Sequence, residues 1–488
     1  MKKKKSLKIN FIMNAVLTMS SFIFPLITFP YVSRVLLPEG TGKVTFATSV
    51  ITYFAMIAQL GIPTYGIRAC AKVRDDTEEL SKTVHEIFLI NLLMTVVAYV
   101  LVGISIATVP RFQQDKTLFF IISLTIIFNT IGMEWLYKAL EQYTYITIRS
   151  IIFKFVALVA MFALVHEKQD YVIYGGITIL AASASNIFNF INVHKFITLK
   201  PFKHYDLKKH WKAIAIFFAM SCATTVYTNL DSVMLGFMKT DTDVGYYNAA
   251  VKIKTILVSI VTSLGVVLLP RASYYIEHDL KDEFYRITKK AIEFVTLIAF
   301  PMTLYFIFFA KEGIFFLSGN AYEGSILPMQ IIMPTLILIG YTNIMGIQML
   351  VPLGREKVVL YSEIAGAVVD LILNYILIPK MGAAGAAIGT LAAETAVWIV
   401  QFYALKFEVV QAYKRIQHFP ICIALVMGSV AALFIKTLNL GNFITLLISG
   451  CIFFGVYGIL LIFMKEPLVI EIVDQLLVKI EKLKQRGR

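Results

Sequence analysis

The sequence is poor in charge and in the residue types that build metal and disulfide sites. Only 16% of its 488 residues are charged, and it has seven histidines and four cysteines. The cysteines lie in or beside apolar runs, without the spacing of zinc ligands or of an extracellular disulfide framework. These shortages argue against a soluble enzyme, a zinc module and a disulfide-stabilised domain.

Apolar residues dominate the composition instead. Hydrophobic residues make up 58% of the chain and the mean hydropathy is +0.75, which gives more apolar surface than a soluble core can bury. A membrane-spanning helix needs roughly 20 such residues, and about fourteen runs have that length. The sequence therefore predicts an all-α integral membrane protein with spans near residues 11–36, 44–65, 86–108, 117–137, 148–165, 172–194, 213–238, 244–269, 291–317, 326–350, 359–379, 384–405, 418–436 and 442–464.

The net charge of +14 is concentrated in short loops on one side of the predicted spans. The chain begins with the run MKKKK, and the apolar stretch after it is too long for a signal peptide and lacks an Ala-x-Ala cleavage site. Because basic loops stay in the cytoplasm, we expect both termini to be cytoplasmic, in a bacterial cytoplasmic membrane. The basic excess then needs no nucleic-acid partner. The opposite loops are too short for a catalytic domain, which favours a transporter over an enzyme.

A weak internal repeat relates the two halves of the chain. An offset of 203 residues superposes Gly42 on Gly245, Ala47 on Ala250 and Arg68 on Arg271. Six spans separate these positions, so the repeat predicts two pseudo-symmetric six-helix lobes with a substrate cavity between them. The predicted division is an N-lobe over 1–200, a C-lobe over 201–410, two added spans over 411–465 and a cytoplasmic amphipathic tail over 466–488, which we expect to lie on membrane lipid.

Four basic residues fall inside the predicted spans: Arg34, Lys154, Lys252 and Lys254. A charge in the hydrocarbon costs at least about 2.5 kcal/mol, so each must face a hydrated cavity, pair with an acid, or extend to the interface. Arg34 suits the interface and the cavity equally, whereas the depth of Lys154 slightly favours the cavity. A salt bridge from Asp231 to Lys252 or Lys254 is the structural alternative for that pair.

Acidic and amide side chains recur in the C-terminal half of the predicted bundle. Asp370 and Asn374 are four residues apart and share a helical face, and Glu394 matches Asp370 in depth. Together with Asp231 they form a candidate site for Na⁺ or a proton. A structural network with Lys252 or Lys254 is an equally good interpretation. The sequence predicts no other cofactor and no metal site.

Four segments carry a family resemblance: Phe29–Ser49, Gln59–Asp76, Glu134–Lys154 and Asp231–Ile253. In these the chain resembles the Wzx-type polysaccharide flippases of the MATE-like superfamily, which move undecaprenyl-pyrophosphate-linked sugar repeat units to the outer leaflet. The likeness extends over nearly the whole chain. Glu134 and Ala139 depart from the family, which commonly has Asp and Gly there.

The resemblance implies a fourteen-helix, two-lobed fold with a positively charged central cavity. The basic residues within the matching segments are the candidates for holding a pyrophosphate: Arg34, Arg68, Arg149, Lys154, Lys252 and Lys254. It also implies that the last two spans hold the polyprenyl tail, and that glycosyltransferases and a polysaccharide polymerase work with the protein.

Three other functions are alternatives to a polysaccharide flippase. A multidrug or cation antiporter of the same fold would use the acids Asp231, Asp370 and Glu394. A flippase for another lipid-linked glycan, such as a peptidoglycan precursor or teichoic acid, would share the basic cavity. A glycosyltransferase would need Asp75 and Asp76 as a metal-binding pair, but the segment around them is better interpreted as a helix start with acids in its first turn.

Overall fold

A computed structural model of the chain describes residues 7–413, 416–438 and 440–486. All regular structure in these ranges is helical, as the composition predicts. The chain divides into two compact units, Met1–Asn248 and Ala249–Arg488. The predicted lobe boundary at residue 200 therefore lies inside the first unit, and the pseudo-symmetric division stays a prediction.

The first unit is built on one long helix against which the others pack. Its helices are α1 (Leu7–Gln59), α2 (Ile62–Lys72), α3 (Thr77–Thr108), α4 (Pro110–Gln113), α5 (Lys116–Gly132), α6 (Glu134–Ala139), α7 (Tyr143–Leu164), α8 (Tyr171–Ile179), α9 (Asn186–Asn192) and α10 (Lys208–Met238). A π-helical turn at Leu180–Ala184 precedes α9. The next helix, α11 (Asp241–Glu277), begins in this unit and continues into the second.

The second unit contains two consecutive helices in close antiparallel contact. Its helices are α12 (Lys281–Phe308), α13 (Ala310–Ser318), α14 (Ile326–Ile332), α15 (Thr335–Thr342), α16 (Glu356–Met381), α17 (Ala383–Ala404), α18 (Lys406–Tyr413), α19 (His418–Leu433), α20 (Asn442–Phe463) and α21 (Pro467–Arg486). Gly382, at φ 54°, forms the one-residue turn between α16 and α17. The small residues that open α17 allow this approach, because a side chain at Gly385 would meet the Leu377 carbonyl oxygen at 2.6 Å.

Fewer helices are long enough to cross a membrane than the fourteen spans that the sequence predicts. Within the described residues eleven helices are long and apolar enough to cross a membrane, or twelve if the bent pair Asn320–Ile332 and Thr335–Leu350 is one span. A multi-pass membrane protein is thus confirmed, but the count of fourteen is not. The difference arises because the first two predicted spans merge within α1, while α5 has only 17 residues.

The long helix α1 is broken at one residue. Leu37 has φ 59° and ψ 178° and is followed by Pro38, whereas the helix continues through Pro25 and Pro30. A non-glycine residue in this region of φ is strained, and proline has no amide hydrogen to continue the helix. The break therefore divides α1 into two helical arms at the position where the sequence predicts a loop.

Two apolar clusters hold the first unit together. The first cluster includes the fully buried side chains of Val84 and Ile87 on α3 and of Leu136 on α6. Beside α7 and α8, Val32 and Leu36 of α1 pack on Ala157, Met161 and Val165. The second cluster fixes α7 against α1 and so positions the polar residues of α7.

The tail helix α21 is attached to α12. Lys290 Nζ lies 2.6 Å from Glu471 Oε1, and the buried carboxylate of Glu466 accepts a hydrogen bond from the Val469 amide at 2.7 Å. The predicted helix is therefore present, and its position on a lipid surface stays a prediction.

Candidate functional site

The most deeply buried cation among the predicted site residues is Arg149 on α7. Its side chain is 7% exposed. Nη2 donates a hydrogen bond to Asn186 Oδ1 at 3.0 Å and lies 3.7 Å from Glu134 Oε2. The π-helical turn before α9 places Asn186 here, where its amide also donates to Asn129 Oδ1 at 3.2 Å.

The guanidinium of Arg149 does not use all of its hydrogen-bond donors. Within the described part of the chain, its buried Nε and Nη1 atoms have no hydrogen-bond acceptor. Burial of a charged donor without an acceptor is costly, and Arg presents its donors in a fork that matches phosphate oxygens. The arrangement is therefore suited to an anionic ligand.

A second cation follows on the next turns of α7. Lys154 Nζ donates to Ser20 Oγ at 2.8 Å and to Ser21 Oγ at 2.9 Å, both on α1. The two serines are neutral, so these bonds orient the ammonium without cancelling its charge. Arg149 and Lys154 are about 7.5 Å apart along the helix axis by the 1.5 Å rise per residue, so α7 carries two cations here against the single carboxylate of Glu134.

The other predicted cations have different surroundings. Arg34 is exposed, three residues before the break in α1, and donates to the Pro30 carbonyl. Arg68 is exposed on α2, and Lys252 and Lys254 are half-buried on the part of α11 that belongs to the second unit. A common site for all six cations stays a prediction.

The acidic candidates are divided between the two units. In the second unit, Asp370 is 1% exposed and Asn374 is fully buried. A Cβ at Gly389 of α17 would lie 2.9 Å from Asp370 Oδ1 and 2.3 Å from Asn374 Oδ1. Both oxygens thus converge on the same bare stretch of α17 backbone. Glu394, one turn and a half further along α17, is 7% exposed.

Asp231 lies in the first unit. Its carboxylate is buried and accepts a hydrogen bond from the Tyr247 hydroxyl. Asp370 and Asn374 thus lie together at Gly389, and the cluster of these two residues with Asp231 and Glu394 stays a prediction. Salt bridges to Lys252 or Lys254 stay predictions.

One polar network was missed by the sequence analysis. The carboxylate of Glu86, fully buried on α3, accepts hydrogen bonds from Lys209 Nζ at 2.8 Å and the Asp206 amide at 2.8 Å, and lies 2.9 Å from His210 Nε2. His210 Nδ1 is 2.6 Å from the Tyr65 hydroxyl. An acid at the edge of an apolar run was the available signal, since such a residue needs a partner.

A second missed group consists of amides on the helices of the second unit. Gln401 Nε2 donates to Ser362 Oγ at 3.0 Å, which links α17 to α16. Gln348, 2% exposed, lies in the π-helical turn Asn343–Leu350 and approaches Gly265 of α11. The Gln401–Ser362 bond joins two helices inside an apolar bundle. Across the residues described, no cluster of three or more His, Cys, Asp or Glu side chains has the geometry to hold a metal ion.

Comparison with known protein families agrees with this architecture. The model of the family described as "Polysaccharide biosynthesis protein" matches residues 7–276. The chain belongs to this family. The MatE family model also matches, over residues 217–376. The family resemblance predicted from the motifs is thereby confirmed.

Two relatives of the chain are named as transporters. Two are called "Putative O-antigen transporter": that of Escherichia coli (strain K12) is 25% identical over 80% of this chain and 94% of its own length, and that of Shigella dysenteriae is 25% identical over 79% and 97%. Their names agree with the prediction of a transporter rather than an enzyme.

A solved structure shares the fold. The chain titled "Lipid II flippase MurJ, inward closed conformation" superposes with a TM-score of 0.68 at 16% identity, over 93% of this chain and 98% of its own. The predicted fold class, an all-α multi-pass membrane protein, is confirmed.

Proposed function

We propose that the protein is a flippase that moves undecaprenyl-pyrophosphate-linked oligosaccharide repeat units from the cytoplasmic to the outer leaflet of a bacterial cytoplasmic membrane, with both termini in the cytoplasm. The observation that carries the proposal is Arg149, a buried guanidinium with two donor atoms available to an anion. The family, the transporter relatives and the flippase fold support it.

The chemistry of the substrate matches the charges of the protein. A pyrophosphate requires cations, and Arg and Lys make charge-assisted bonds to its oxygens. In this proposal Arg149 and Lys154 bind the pyrophosphate, while Arg34, Arg68, Lys252 and Lys254 line its path. The polyprenyl tail stays in lipid along α19 and α20, whose outward side chains are apolar, including Val426, Val430 and Phe463. Glycosyltransferases supply the substrate and a polymerase consumes it.

An ion gradient provides the driving force in this proposal. Asp370 and Asn374 bring oxygen atoms together on α17, and oxygen ligands are those that a hard cation such as Na⁺ prefers. Asp231 and Glu394 are the further acids of the proposed coupling. A proton carried by one carboxylate is the alternative coupling ion.

Substituting Lys154, Lys252 and Lys254 together by alanine should abolish surface polysaccharide in a strain that lacks the native gene, while the lipid-linked repeat unit accumulates inside. The three ammonium groups cannot be replaced by neutral side chains if the path must carry a pyrophosphate. Surface glycan is measured by immunoblotting, and insertion by the amount of protein in washed membranes.

The matched control replaces three exposed lysines, Lys116, Lys168 and Lys406, by alanine. It lowers the net charge by the same amount and should export normally. Normal export by the first variant would contradict the assignment of the cations.

Sodium should raise the melting temperature of the purified protein in detergent, relative to choline at equal ionic strength. A ligand at about 100 times its dissociation constant stabilises the folded state by about 2.7 kcal/mol. The paired substitution Asp370→Asn and Asn374→Ala should remove this effect, and Glu363→Gln on the same helix is the control. The proton is the coupling ion if Na⁺ has no effect and the melting temperature depends on pH in the Glu363→Gln control but not in the paired variant. Equal Na⁺ stabilisation of both variants would contradict the site.

Export of cationic compounds by the same fold is the second candidate function. The buried acids of the second unit and the MatE match support it. A drug-resistance assay in a host that lacks its own pumps separates the two functions, because a flippase gives no protection.

A further inference from the structure

The helices α1 and α11 cross at two glycines, Gly42 and Gly245. The second arm of α1 begins after the break at Leu37, and α11 begins at Asp241. A Cβ at Gly42 would lie 1.7 Å from the Asp241 carbonyl oxygen, and one at Gly245 would lie 2.1 Å from the Pro38 carbonyl oxygen. Backbone therefore meets backbone here, with no room for a side chain.

The crossing is reciprocal. The offset of 203 residues that relates Gly42 to Gly245 also relates Pro38 to Asp241. Gly42 approaches the carbonyl of Asp241, which lies four residues before Gly245. Gly245 in turn approaches the carbonyl of Pro38, which lies four residues before Gly42. This is the pattern of a contact about a two-fold axis, now formed within one chain.

An aromatic cluster closes the space beside the crossing. The Phe46 ring packs on Gly236 near the end of α10, where an added Cβ would lie 2.0 Å from a ring carbon. Phe46 is also within 6.1 Å, centroid to centroid, of Phe112, Phe119 and Phe237. Phe46, Phe112 and Phe119 are buried, so water is kept from the crossing on this side.

Arg111 on α4 holds the turn between α10 and α11. Nε donates to the Gly236 carbonyl at 3.1 Å, and Nη2 forms an ion pair with the Asp241 carboxylate. Nη1 donates to Gln114 at 2.8 Å, and the guanidinium lies 5.0 Å from the Phe46 ring centroid. One side chain thus links the end of one helix, the start of the next and the aromatic cluster.

We propose that this crossing is the outer seal of the transport path and that Arg111 is its latch. The proposal rests on the proposed function and orientation, in which residues 37–43 and 239–243 lie outside. At the two glycines only backbone meets backbone, so the side-chain contacts that must part are those of Phe46 with Gly236 and Phe237. The Arg111–Asp241 pair has side chains that are 20% and 11% exposed, so both charges are within reach of water when the pair opens. The contact therefore has the properties of a two-state element.

The test measures access to a cysteine beside the seal. The four native cysteines are replaced by serine, and Val244, which is fully buried in the first turn of α11, becomes cysteine. Intact cells are treated with a membrane-impermeant maleimide. Labelling should be slow in this background and about tenfold faster after Arg111→Ala or Asp241→Asn, because the closed state loses its latch. Lys116→Ala, at an exposed residue on α5, should leave the rate unchanged.

Two further variants keep the outcome decisive. Arg111→Lys keeps a cation between Asp241 and Asp115 and should restore slow labelling, whereas Arg111→Gln, which keeps a donor but no charge, should not. If Val244→Cys fails to insert, Ala47→Cys, also fully buried, takes its place. An unchanged rate after Arg111→Ala overturns the latch. Labelling does not require substrate, so normal gating without glycan export would count against the proposed function and leave the latch intact.

Discussion

Replacing Arg149 by alanine is expected to lower glycan export about 100-fold. The buried guanidinium offers Nε and Nη1 to the ligand, and a hydrogen bond to a charged group contributes about 1.5–3 kcal/mol. Loss of two such bonds amounts to about 3 kcal/mol, or roughly 100-fold. The measurement is the rate at which surface glycan appears after induction, at equal amounts of membrane protein.

Two controls separate ligand binding from folding. Arg149→Lys keeps the charge but loses the fork, and should retain about a tenth of the export rate if one bond is kept. Lys138→Ala removes another cation that contacts Glu134, at 2.8 Å, and should export normally. The melting temperature in detergent must stay close to that of the parent. Undiminished export by Arg149→Ala would rule out Arg149 as the anion site.

Replacing Glu86 by alanine should destabilise the protein by about 1–3 kcal/mol for each buried donor that loses its acceptor. His210, which is 2% exposed, loses the acceptor at its Nε2 atom. The Asp206 amide also loses its acceptor. Thermal unfolding in detergent and the yield of inserted protein are the measurements.

The neighbouring positions provide graded controls for Glu86. Glu86→Gln keeps an acceptor and should recover part of the stability. Lys209→Ala should cost at most about 1 kcal/mol, because the Lys209 side chain is 43% exposed and water replaces its contact. A Glu86→Ala protein as stable as the parent would show that the network does not hold α10 to α3.

The helices could be predicted from the sequence because hydrophobic run length depends only on local composition. The shared face of Asp370 and Asn374 was predictable for the same reason, since spacing on one helix fixes it. That both oxygens converge on Gly389 was not, because this requires the close approach of α16 and α17.

Contacts between distant parts of the chain account for most of what the sequence did not predict. Arg149 meets Asn186 37 residues away, and Glu86 meets His210 124 residues away. No periodicity encodes such pairs, which depend on how helices pack. At α1 the two predicted spans correspond to two helical arms joined at the non-helical residue Leu37, so helix length alone counts them as one element.

The reciprocal glycine crossing also bears on the origin of the chain. If each repeat was once a separate protein, Gly42 and Gly245 were the same residue in two copies, and their contact was the symmetric centre of a homodimer. The two sides now differ: Asp241 forms an ion pair with Arg111, while its partner at the offset of 203 residues is Pro38, which follows the break in α1. A single substitution in such an ancestor would have altered both sides at once, whereas in one chain each side can be altered alone.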